Sequence, residues 1–71
     1  MDREELSMMI REGPVRITMN RGQVFEIPSP EFAIVSDNSA YVLVRSNEGK
    51  LIAARLPLVT ISAVEEMPSP S

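Results

Sequence analysis

Apolar and polar positions along the chain change their spacing once, near Gly13, and that change separates two kinds of element. Before it, Leu6, Met9 and Ile10 recur at the i, i+3, i+4 spacing that gathers apolar side chains into one helical stripe. Asp2 stands where a helix cap would, and Glu5 follows at capping-box distance. Met1 and Leu6 are spaced as a hydrophobic staple, Gly13 suits a left-handed C-terminal position, and Pro14 cannot continue a helix. The spacing predicts a helix over 2–12. Its stripe is too narrow to hold so short a helix in isolation, so it is expected to pack on its own domain.

After Gly13 the period becomes two. Val15, Ile17 and Met19 alternate with Arg16, Thr18 and Asn20 as in a half-buried strand, and Asn20-Arg21-Gly22 then supplies a hairpin turn with glycine where a positive φ is needed. The next strand puts Phe25 and Ile27 on one face and Val24 and Glu26 on the other. Pro28-Ser29-Pro30 interrupts it, and because proline donates no ladder hydrogen bond, the strand is expected to bend there and resume over 31–35. Asp37-Asn38-Ser39 is a turn cluster, 41–45 and 51–55 form a hairpin around Asn47-Glu48-Gly49-Lys50, and 56–59 breaks the alternation as one tight helical turn. Residues 60–64 restore the period as a last strand, and 67–71 has the composition of a disordered tail.

The predicted fold class is mainly β. One N-terminal helix and five strands, the second long and strongly bent, point to a single SH3-like barrel over 1–66, with its strands in 14–66. A curved open sheet with the helix laid across one face is the alternative.

Composition narrows what such a domain does. At 71 residues the chain is too short to divide, and a domain this small buries only about 60% of the surface its unfolded chain exposes. It has no cysteine and no histidine, which removes disulfides and the usual zinc ligands as staples and the commonest general base and nucleophile as catalysts. Self-association is the remaining common remedy, so a homo-oligomer is expected. No serine stands in a G-x-S-x-G or Ser-x-x-Lys context, and the three glycines are too scattered to cradle a phosphate. Glu4-Glu5 and Glu65-Glu66 are adjacent pairs whose side chains diverge, which is the pattern of solvated charge. No enzyme, cofactor or metal is expected. The acidic N-terminus is unlike a signal peptide and no apolar stretch is long enough to span a bilayer, so the expected compartment is the cytoplasm. The net charge of −3 does not indicate nucleic acid, although residues 13–59 hold five bases against four acids and leave RNA open.

The order of elements resembles the Sm/LSm/Hfq group of ring-forming, RNA-associated barrels. Val15-x-Ile17-x-Met19-x-x-Gly22-x-x-Phe25 is similar to the opening of the first Sm motif. Asp37-x-x-Ala40-Tyr41-Val42-Leu43-Val44 is spaced like that motif's Asp-x-x-Met-Asn and the apolar strand after it. Thr60-Ile61-Ser62-Ala63-Val64 followed by Glu-Glu-Met-Pro looks like the Hfq ending. Ala40 and Tyr41 replace the Met-Asn that contacts bases in the family, Leu58 and Val59 fall where Hfq carries Lys-His, and the Arg-Gly of the second Sm motif is absent. A closer likeness is to short bacterial proteins of the planctomycete type. They share Pro14-Val-Arg-Ile17, Arg21-Gly22 and the Pro-x-Pro-Glu-Phe signature, here Pro28-Ser-Pro-Glu-Phe32, and that likeness brings no activity with it.

The resemblance implies a ring of copies and a candidate ligand or RNA rim at Asp37, Asn38, Tyr41, Arg45 and Arg55. Tyr41 would stack on a base or peptide there, or fill the barrel or a subunit contact. Arg16, Arg45 and Arg55 would hold phosphates, solvate the outer face or bridge subunits. Three functions are therefore expected of the chain: a non-enzymatic Sm-like oligomeric interaction module, an RNA-binding protein, or an adaptor that docks a protein partner on an edge strand.

Overall fold

The computed structural model describes residues 1–68. The chain runs α1 (Arg3–Glu12), β1 (Val15–Met19), β2 (Val24–Ile27), a 3-10 turn (Pro30–Phe32), β3 (Ala33–Val35), β4 (Ser39–Arg45), β5 (Leu51–Pro57), a second 3-10 turn (Leu58–Thr60) and β6 (Ile61–Glu66). The fold is mainly β with one N-terminal helix. Its six strands form two three-stranded antiparallel sheets, ordered β2-β1-β6 and β3-β4-β5, and among the described residues no pairing closes them into one barrel.

Six strands replace the expected five because the bent segment splits. Pro30 opens a 3-10 turn in which the Phe32 amide donates to the Ser29 carbonyl at 3.1 Å. Glu31 and Phe32 belong to that turn rather than to a resumed strand, so β2 pairs with β1 while β3 pairs with β4. The proline signal was right about the bend, and the fixed φ of Pro30 favours a turn over a continuous kink.

Helix α1 holds where the stripe places it: Leu6 and Ile10 are buried and Met9 packs against the same core. Its ends differ from expectation. Asp2 makes no side-chain cap, and only its carbonyl takes part, accepting from the Leu6 amide at 3.1 Å. Gly13 has φ 162°, an extended rather than left-handed conformation, because the residue before a proline is driven toward extended backbone.

The core is shared by all layers. Leu6 and Ile10 meet Val15, Ile17 and Met19 of β1, Ile27 of β2, Ala40 and Val42 of β4, and Leu56 and Leu58 near the β5–β6 junction. The alternation of β1 is complete, with Val15, Ile17 and Met19 buried and Arg16 exposed. The β1–β2 and β4–β5 hairpins close alike. Met19 and Ser46 each accept from the amide three residues on (Gly22, Gly49) and donate to the carbonyl four residues on (Gln23, Lys50), at 2.8–2.9 Å. Gly22 and Gly49 take φ +89° and +82°, the left-handed geometry that this type of turn demands of its glycine.

The strands reach past the expected ends: β4 begins at Ser39, β5 runs to Pro57 and β6 to Glu66. Met67 continues the ladder by donating its amide to the Pro14 carbonyl at 2.9 Å, although the expected tail over 67–71 includes it, and residues 69–71 of that expectation lie outside the described residues. No helix among the described residues is long and apolar enough to cross a membrane.

Candidate functional site

Strand β4 is the centre of the second sheet and alternates cleanly along most of its length. Ala40 and Val42 face the core while Tyr41, Leu43 and Arg45 face outward. Register then assembles the outward face row by row: Ile34, Tyr41 and Arg55 lie side by side across β3, β4 and β5, then Leu43 beside Ala53, then Arg45 beside Leu51. Ile34 is 70% exposed and Tyr41 46%, with Leu43 and Leu51 similarly open.

The ladder alternation fixes how close these pairs stand. The Ser46 amide bonds Lys50 at one end of the β4–β5 pairing and the Leu58 amide bonds Asn38 at the other. Alternating inward from both ends, Val44–Ile52, Val42–Ala54 and Ala40–Leu56 exchange hydrogen bonds. Tyr41–Arg55, Leu43–Ala53 and Arg45–Leu51 are therefore the non-hydrogen-bonded pairs, whose Cα atoms stand only about 4.5 Å apart and whose side chains meet most closely.

Of the five predicted rim residues the structure brings three together. The Arg55 Nε donates to the Ser39 hydroxyl at 3.2 Å, and that hydroxyl donates to Asn38 Oδ1 at 3.3 Å, which ties Asn38 to the Tyr41–Arg55 row. Asp37 is drawn away, because its carboxylate takes the Arg3 guanidinium of α1 at 2.5 Å. Arg45 lies four residues from Tyr41 along β4, about 13 Å at strand rise, and donates to the Gly49 carbonyl at 2.9 Å. Among the described residues neither Arg45 nor Arg55 has a carboxylate at ion-pair distance.

Ser39 is the member of this cluster that sequence reasoning missed. It is fully buried although it belongs to the outward series, and its carbonyl accepts from both the amide and the hydroxyl of Ser36. Two serines three residues apart around Asp-Asn are the composition of a side-chain-supported turn, which is the signal that marks it.

A groove of about 610 Å³ adjoins this face. Leu43, Arg45 and Leu51 form one of its walls, and Val24, Phe25 and Phe32 line it from β2 and the 3-10 turn. A smaller cleft of about 520 Å³ separates α1 from β3. The described residues hold no cluster of three metal-ligating side chains. What the arrangement offers chemically is an aromatic ring, aliphatic surface and two guanidinium groups free to meet an anion. Comparison with known proteins returns no match, whether to a family model, a curated protein or a solved structure.

Proposed function

We propose that this is a non-enzymatic, Sm-like small barrel of the cytoplasm that assembles with copies of itself and serves as an interaction module. The observation that carries the reading is the pair of terminal strands. Among the described residues β2, β3, β5 and β6 are each bonded on one side only; β2 and β3 flank the break at residues 28–30, and β5 and β6 stand at the ends of the two sheets away from it. If β2 and β3 are counted as one bent strand, the order becomes β6-β1-β2/β3-β4-β5, a single run of five strands, and a 3-10 turn precedes β6 as a short turn precedes the last strand of Sm proteins. Val59, 83% exposed in that turn, sits between the two free edges. Unpaired edges of this length recruit another strand unless they are blunted, and a domain of this size gains most from such pairing. A ring is the arrangement that the Sm resemblance adds.

The alternation of the β4–β5 ladder identifies the amides available for pairing. Leu51, Ala53 and Arg55 point to the free edge, and Pro57, which has no amide, falls in the same outward series. Light scattering on the purified protein is expected to give a multiple of 7.9 kDa. Ala53→Pro removes an outward donor and is expected to return a folded 7.9 kDa species, whereas Ala54→Pro removes a donor to β4 and is expected to unfold the sheet. A wild-type chain that scatters as a monomer at every concentration would remove the assembly.

A further inference from the structure

The outward face of β3, β4 and β5 lies perpendicular to the edges that would pair copies, and strand pairing leaves it uncovered. Its apolar content is high for a solvated sheet face: Ile34, Tyr41, Leu43 and Leu51 are all exposed on it. Its charge is the reverse of the molecule's, because a chain of net charge −3 places Arg45 and Arg55 here and no acid among the outward residues of these strands. Among the described residues both guanidiniums donate only to neutral oxygens, those of Gly49 and Ser39.

We propose that this face docks a segment of a partner protein that carries apolar side chains between two carboxylates. Charge and size together choose that occupant. A second copy placed face to face would set Arg45 and Arg55 against the same two arginines, so like charge opposes two-fold pairing. The face measures about 23 Å along β4 by about 14 Å across three strands. That is about 300 Å², well under the ~800 Å² per partner of a standard globular interface, and it suits one short segment. Nucleic acid would use the arginines and Tyr41 but would leave the aliphatic remainder against water, with only one aromatic to stack on. Arg45 and Arg55 are about 13 Å apart along the strand, which matches carboxylates four positions apart in an extended chain.

The chain reports on this face directly, since Tyr41 is its only tyrosine and it has no tryptophan. The probe is a synthetic peptide with an Asp-Leu-Ser-Leu-Asp centre, set against the same peptide with lysine for aspartate and against single-stranded oligouridine. The acidic peptide is expected to change Tyr41 fluorescence saturably and to bind at least about tenfold more tightly than the lysine peptide at low salt. It should also move the amide resonances of Tyr41, Leu43, Arg45, Ala53 and Arg55. In R45E/R55E, whose substitutions lie on an exposed face, the preference is expected to invert toward the lysine peptide with the fold retained. Equal or absent binding of the two peptides, or resonance changes confined to another surface, would overturn the proposal. So would oligouridine shifting the same resonances, which assigns the face to nucleic acid, or the same shifts on concentrating the protein alone, which assigns it to a second copy.

Discussion

The two sheets follow one alternation rule on their inner faces and opposite rules on their outer ones. In the first sheet Arg16 stands between Glu26 and Glu65 by register, its guanidinium 3.3 Å from Glu26, and Thr18 lies between Val24 and Ala63. That is a cation flanked by carboxylates on a solvated surface. In the second sheet the matching positions hold Ile34, Tyr41, Leu43 and Leu51, with two arginines that have no carboxylate beside them among the described residues. Folding stability does not demand this difference, because both inner faces feed the same core. It is a difference of surface, and unspent surface of mixed apolar and cationic character is what recognition uses.

The contrast is broken most directly by truncating one residue on each side of it. Ile17→Ala removes a fully buried side chain of β1 and is expected to cost about 2–5 kcal/mol. Leu43→Ala on the outward face is expected to cost no more than about 0.5 kcal/mol. Urea denaturation measures both, and a large loss at Leu43 would mean that the second face already packs against something. A middle-sized effect sharpens the comparison of the hairpins that join the strands. Gly22→Ala and Gly49→Ala force a side chain into left-handed backbone at two turns of the same geometry, so each is expected to cost about 1–2 kcal/mol and the two losses should agree. Unequal losses in thermal unfolding would show that the two turns are supported differently. The smallest effect concerns the outer charges. Arg16→Gln is expected to lose a few tenths of a kcal/mol, at most about 1, and the loss should disappear at high ionic strength, because both partners are half exposed. Arg45→Gln, with no carboxylate partner, is expected to change nothing in the same salt series.

Much of this architecture is visible along the chain. The change of period at Val15, the glycine turns at Gly22 and Gly49, and the break at residues 28–30 each follow from local chemistry, and each sits where expected. Two local rules competed at Gly13, where the helix-ending preference for left-handed glycine lost to the extended bias imposed by Pro14. The second strand divided because the turn at Pro30 satisfies its own backbone, a choice between bend and break that alternation does not encode. At the candidate site, Tyr41, Arg45 and Arg55 could be named as outward residues, but their partners depend on cross-strand register. The Arg55–Ser39–Asn38 connection spans two strands, and the withdrawal of Asp37 depends on a helix whose Arg3 is 34 positions away. Contacts of that reach are set by packing rather than by spacing.

The pairing of β1 with β6 also governs the order in which the molecule can be made. The Ser62 hydroxyl bonds the Thr18 carbonyl across 44 positions, so the first sheet has its third strand only once residues 61–66 have left the ribosome. The second sheet needs only neighbours, since β3, β4 and β5 follow one another through short turns. A nascent chain therefore has every strand of the later sheet at hand while the earlier one still waits for its last member, which leaves one flank of β1 without its native partner until then.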